Sequence, residues 1–200
     1  MSKTKTKKKI KKRKENGKNY RKINAGLFIS LDGVTESPNK WQDTFDDEMG
    51  VELQKTLDDQ DSILLGRKTY EEWSHYWPTN TEDPFAQYIN NIPKYVVSST
   101  LDKVEWGKYD TISLIKDLSG VKELKSMKGK NIGMSGSSSL VLSLLEADLL
   151  DELILMIHPV VVGKGKQLFQ EISNLKRLKL QYSKSTSSGV IIAKYSTLRD

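Results

Sequence analysis

From Tyr20 onward, short apolar runs alternate with amphipathic stretches. Ile23–Ser30 (INAGLFIS) is an apolar run closed by the turn pair Asp32-Gly33, which predicts a buried strand. Phe45, Met49, Leu53 and Leu57 lie four apart and predict one helical face over Phe45–Leu57. Ser62–Leu65 is a short buried strand running into Gly66, and Thr69–Tyr76 reads as a helix stopped by Pro78. Lys94–Ser98 and Thr111–Ile115 read as strands, Lys122–Met127 as a short helix and Asn131–Met134 as a strand. Leu140, Val141, Leu144, Leu145 and Ala147–Leu149 form a strongly amphipathic helix. Glu152–Val162 is a strand expected to break at Pro159. Arg177–Ser183 and Val190–Thr197 predict a terminal antiparallel hairpin around Ser187-Ser188-Gly189. This alternation argues for an α/β fold: a mixed, mostly parallel sheet flanked by helices and closed by that hairpin. Asn39–Thr44 and Thr79–Asp83 are the expected loops.

Composition narrows the chemistry. Two hundred residues suit one core with a short appendage. Cysteine is absent, which excludes disulfides, thiolate nucleophiles and thiolate metal sites, and two histidines leave little for a metal centre. No apolar run approaches the roughly 20 residues that span a bilayer, so no membrane association and a cytoplasmic location are expected. Residues 1–22 hold 12 of the 32 Lys+Arg and 1 of the 26 Asp+Glu. The rest of the chain is mildly acidic. The segment 1–19 is therefore expected to be a disordered basic tail, and 20–200 the folded domain. Nucleic acid or another polyanion is expected only through that tail.

Three strand ends carry residues suited to a phosphorylated ligand. Gly66-Arg67-Lys68-Thr69 joins a close-approach glycine, two cations and a hydroxyl that can cap the following helix. Ser98-Ser99-Thr100 places hydroxyls at a strand end, where they suit a ribose or phosphate and equally a turn. Met134-Ser135-Gly136-Ser137-Ser138-Ser139 lies between a strand and a helix, where small residues allow backbone approach to a pyrophosphate. It is neither a phosphate-binding Walker loop nor the G-x-G-x-x-G fingerprint. Together the three describe a cradle for a phosphorylated dinucleotide.

Those segments carry a resemblance. SLDG (30–33), GRKTYE (66–71), VVSST (96–100), GSSSL (136–140), DELIL (151–155) and PVVVGKGKQLF (159–169) resemble the dihydrofolate reductase superfamily. The last two favour the branch containing the C-terminal reductase domain of the bifunctional riboflavin-biosynthesis protein. The resemblance covers about Arg21 to Thr197 and implies a dihydrofolate-reductase-like fold, NADPH as cofactor and hydride transfer to a C=N or C=O group of a small substrate. It implies that Gly66, Arg67, Lys68 and Thr69 hold the adenosine-side phosphates, the cations favouring the 2′-phosphate. Ser98 and Ser99 would contact the adenosine portion. Met134, Ser135, Gly136, Ser137, Ser138, Ser139, Leu140 and Val141 would form the pyrophosphate loop and helix start. Trp41 and the strand around Ile29 would lie by the nicotinamide, and Asp46 matches the folate-reductase carboxylate. A homodimer is implied by the riboflavin branch. Met134 stands where riboflavin reductases usually carry glutamate, and Ser135-Gly136-Ser137 replaces the usual glycine run of the folate enzymes, so the substrate stays open.

Read from the residues, Asp46 in a partly apolar pocket is a candidate proton donor with raised pKa, and equally one of several acids at a helix start. Asp32 reads as a turn residue at the pocket mouth, with substrate contact the alternative. Trp73 and Trp77 read as sheet packing, His75 as exposed and His158 as a satisfied core histidine. Lys164 and Lys166 read as solvated loop lysines, and the leucine-rich 140–150 segment as core with a spare apolar face for a dimer contact. Two rival readings are a nucleotide-binding module without turnover and an RNA- or polyanion-associated protein acting through the tail.

Overall fold

The computed structural model describes residues 20–199, so the basic segment over 1–19 lies outside the described residues. The apolar runs become eight strands: β1 (Ile23–Ser30), β2 (Gln60–Gly66), β3 (Lys94–Val97), β4 (Ile112–Ile115), β5 (Asn131–Ser135), β6 (Glu152–His158), β7 (Leu178–Ser185) and β8 (Ile191–Thr197). They form one sheet in the order β4-β3-β2-β5-β1-β6-β8-β7. The first six are parallel, and β8 and β7 add antiparallel at one edge. The mostly parallel mixed sheet and terminal hairpin match the expected fold.

The helices are α1 (Asp47–Asp58), α2 (Arg67–Tyr76), α3 (Pro84–Asn91), α4 (Leu118–Ser126) and α5 (Ser138–Glu146). Alternation along the strands sends side chains to two faces. Ala25, Leu27, Ile29, Leu64, Leu153 and Leu155 pack with α4 and α5 residues on one face. Ile63, Leu65 and Val96 pack on the other with Ile89, Trp73, Trp77 and Phe85. Ile154, Met156 and Ile192 pack with Phe28 and with Met49 and Leu53 of α1. Ile63, Leu64 and Leu65 are fully buried. Each such side chain contributes roughly 1.5–3 kcal/mol of transfer free energy, which explains why this short run forms a central strand.

Several expectations are corrected. Phe45 precedes α1 because Asp46 caps the helix, accepting from the Met49 amide at 2.9 Å; Phe45 packs edge-on against Phe28 instead. Helix α3 escaped the pattern, although Asp83 caps it and Pro84 opens it. Helix α4 begins four residues early because Asp117 caps it. In α5, Leu140, Val141, Leu142, Leu144 and Leu145 are all buried, so there is no spare apolar face and the expected dimer contact on it is not available.

The N-terminal edge of the parallel strands is stitched with charges. Arg21 pairs with Asp61 and donates to Ser62 Oγ and the Lys130 carbonyl. Lys125 pairs with Asp151, which also accepts from Arg199 at 2.7 Å and from the Ile23 amide at 2.9 Å. Glu152 bridges Lys22 and Lys194, each at 2.7 Å. Lys94, almost fully buried, donates to the carbonyls of Ile89 and Ile92 at the end of α3 and to Thr111. A cation there suits the negative end of the helix dipole.

Candidate active site

The C-terminal ends of the same strands gather the candidate residues, where an open parallel sheet binds ligands. β1 pairs with β5 only over Ile23–Gly26, but with β6 as far as Ser30. The backbone of Leu27–Ile29 therefore has no strand partner on its β5 side. This notch, which contains Ile29, is flanked by the turn after β5. Gly26 adds to it: a Cβ there would meet nothing within 4 Å.

Ser137 joins the two phosphate segments. It adopts a left-handed backbone (φ 54°) after Gly136 (φ 64°), which turns β5 sharply into α5. Its Oγ accepts from the Gly66 amide at 2.9 Å and lies 2.7 Å from Thr69 Oγ1. A Cβ on Gly66 would fall 2.4 Å from that oxygen, so only glycine permits this approach. Thr69 is thus a buried tie to the neighbouring turn and not the helix cap; the N-cap of α2 is Gly66.

The helix starts divide into two kinds. α1, α3 and α4 are each capped by an aspartate side chain. α2 and α5, which begin beside each other at the ends of β2 and β5, have no side-chain cap. Their first amides stay available, and an uncapped start attracts anions. The first turn of α2 carries Arg67 and Lys68, both exposed, although helix starts disfavour cations. Arg67 pairs with Glu71 of its own helix at 2.9 Å.

The other candidates fall into place around this centre. Ser135 ends β5, and Ser138 and Ser139 open α5. Met134, Leu140 and Val141 have buried side chains, and the Val141 amide already donates to the Ser137 carbonyl. Ser98 Oγ accepts from the Thr100 and Leu101 amides, so it shapes its own turn, while Ser99 is exposed.

On the other side of β1 from the notch, His158 ends β6 in register with Ser30. Its ring is 2% exposed and lies edge-on to Trp41 (5.7 Å between centroids) and Phe28 (5.8 Å). It is buried as expected but not satisfied: Nε2 has no hydrogen-bond partner. Burial pushes the imidazole below its ordinary pKa, against the pull of Asp43 and Asp46. A histidine closing an apolar run was visible in the sequence; the empty valence of its ring was not.

Asp46 differs from its expectation. The hydroxyls of Ser188 and Thr186 and the Met49 amide hold its carboxyl well below the usual carboxylate range, the reverse of a raised pKa. Ser188 Oγ donates to it at 2.6 Å, so Asp46 latches the terminal hairpin turn onto the start of α1. Asp32 accepts from Ser30 Oγ at 2.6 Å and from the Gly163 and Val162 amides at 2.8 and 3.1 Å, which lowers it to about 2. It locks the turn after β1 to the segment after β6. Next to this lock lies a cleft of about 320 Å³ lined by Glu36, Ser37, Lys40, Trp41, Val162, Lys164 and Gly165. Trp41 is held there by its indole N–H on the Glu36 carbonyl at 2.9 Å. Lys164 is exposed as expected. Lys166 is not free in solvent: its Nζ donates to Ser139 Oγ at 3.0 Å. Among the described residues no group of three or more acidic or histidine side chains is arranged to hold a metal, and no helix is long and apolar enough to cross a membrane.

Residues 21–192 match the RibD C-terminal domain family. The uncharacterized Bacillus subtilis protein YyaP is 34% identical over 184 residues, covering 88% of this chain and 95% of that protein. Among solved structures, one assigned to riboflavin biosynthesis in Shewanella sp. PV-4 superposes with a TM-score of 0.73 at 20% identity, covering 89% of this chain and 99% of that one. Dihydrofolate reductase of Enterococcus faecalis, complexed with NADP(H), gives a TM-score of 0.60 at 14% identity, covering 90% and 99%. These structural likenesses establish the fold.

Proposed function

The chain belongs to the RibD C-terminal domain family, and on that premise we propose that it is an NADPH-dependent reductase. Its acceptor is the C=N or C=O carbon of a small heterocyclic or carbonyl compound of riboflavin-pathway or pteridine type. The observation that carries this reading is the adjacent pair of uncapped helix starts at α2 and α5, joined through Ser137, with the α2 start bearing cations where a helix dipole favours anions. Such a pair is complementary to a molecule with two separated phosphate groups.

The residues present fit that cofactor. Gly66 and Gly136 keep side chains out of the cradle, and the first amides of α5 suit a pyrophosphate. Arg67 and Lys68 suit the adenosine-side phosphate, with Ser99 beyond them. The notch at Leu27–Ile29 offers backbone groups to the nicotinamide end. When bound, the cofactor supplies the hydride. The protein must then orient the acceptor and manage one proton. Asp46, ionised and engaged by its donors, anchors the terminal hairpin turn to the start of α1. Among the described residues at this end, His158 is the buried side chain with an unengaged ring atom, and its neutral ring suits a hydrogen bond to the acceptor.

Titration with NADPH and NADH, read by quenching of the four tryptophans, tests the proposal. Selective NADPH binding is expected, followed by oxidation of NADPH with a pteridine, pyrimidine or carbonyl acceptor. Binding of neither dinucleotide would remove the reductase reading.

A further inference from the structure

Lys166 stands outside the sequence segments assigned to the cofactor, yet its side chain ends inside the cradle. Its backbone is pinned on both sides: the amide donates to the Glu36 carboxylate at 3.1 Å, and the carbonyl accepts from the Thr35 amide at 3.0 Å. Its side chain is 27% exposed and crosses to α5, where Nζ donates to Ser139 Oγ at 3.0 Å and to the Glu171 carboxylate at 3.1 Å. An ammonium group is thereby held against the start of a helix with no side-chain cap. The helix dipole makes that end positive, so a cation there is unfavourable unless an anion lies between them. Glu171, five residues further along the chain, meets this need only in part, since its side chain is 60% exposed and solvent weakens the pairing.

We propose that Lys166 is the cation of the pyrophosphate seat, passing from Glu171 to the bridging phosphates when the dinucleotide binds. The assignment rests on the cofactor reading above. It separates two electrostatic duties: Arg67 and Lys68 read the phosphate that distinguishes NADPH from NADH, and Lys166 binds the group that both share. The same residue sits beside Gly165, so the pyrophosphate seat and the wall of the 320 Å³ cleft are parts of one short segment.

Three variants of the full chain, titrated with NADPH, NADH and 2′-AMP, test this. Lys166→Gln should weaken NADPH and NADH alike, each by about tenfold, the usual weight of a charge-assisted phosphate contact. Binding of 2′-AMP, which lacks the pyrophosphate, and the melting temperature should not change. Lys166→Arg should retain most of the affinity for both dinucleotides. Glu171→Gln should bind them as tightly as the wild type or more so, because the competitor for Lys166 is gone. Wild-type-like binding of both dinucleotides by Lys166→Gln would overturn the assignment and leave the cofactor reading intact. A loss confined to NADPH would overturn it too, placing Lys166 at the 2′-phosphate. Equal losses in Lys166→Gln and Glu171→Gln would overturn it by showing that the pair only shapes the loop. A wild-type protein that binds neither dinucleotide overturns the cofactor reading itself, and this assignment with it.

Discussion

The two edges of the parallel sheet are made from the same strands and differ in how their charges are partnered. At the N-terminal edge, each buried charge meets a partner: Arg21 meets Asp61, Lys125 meets Asp151, Glu152 meets two lysines, and Lys94 meets the carbonyls ending α3. At the C-terminal edge, polar groups are left with capacity. α2 and α5 lack side-chain caps, Arg67 pairs only within its own helix, and His158 Nε2 is buried without a partner. Satisfied groups hold a fold together, and unsatisfied ones at a shared edge mark where a ligand completes the pairing. On the proposed function, the difference separates residues that maintain stability from residues that would recognise a ligand.

The sharpest way to break this division is at the N-terminal edge. Asp151→Ala leaves the largely buried Lys125 without its counter-ion and the Ile23 amide unpaired, and should cost about 3–5 kcal/mol in urea unfolding. The protein that remains folded should bind dinucleotide as before. A large loss of affinity without a loss of stability would merge the two edges.

Gly66→Ala tests the other edge. Its Cβ would meet the Ser137 oxygen, so the turns after β2 and β5 must part, at a cost of about 1–3 kcal/mol by thermal unfolding. Here stability and dinucleotide affinity should fall together, because one close approach serves both.

The double variant Arg67→Ala/Lys68→Ala should leave stability within about 0.5 kcal/mol, as expected for exposed side chains. It should reduce the preference for NADPH over NADH by about tenfold or more in paired titrations. An unchanged preference would move the 2′-phosphate elsewhere.

The smallest effect on stability concerns His158. Its folded pKa is lowered, so as pH falls through about 6.5 the unfolded chain takes up a proton that the folded chain does not. Stability should therefore decline between about pH 7.5 and 5.5, and recover as pH rises again. His158→Phe, packed between Phe28 and Trp41, should remove that decline in urea titrations at the two pH values. It should also abolish turnover of any acceptor while sparing NADPH binding. Full activity in this variant would make the histidine structural.

The sequence by itself determined the layers, the strand set and three of the segments that meet at the C-terminal edge. Apolar periodicity and glycine or hydroxyl residues at strand ends are local properties, and local properties are written in neighbouring residues. Helix α3 was missed because Asn90 and the aromatic residues around it mask its short apolar face, and only the Asp83-Pro84 start announced it. Tertiary structure decided the rest. It placed β5 between β2 and β1, so that Gly66 and Ser137, 71 positions apart, share one hydrogen bond. It turned Asp46 from a prospective acid into an anchored carboxylate by bringing Ser188 to it across 142 positions. It left His158 without a partner and carried Lys166 to the start of α5. Ionisation and hydrogen-bond capacity depend on which groups arrive from elsewhere in the chain, and that is decided only when the sheet order closes.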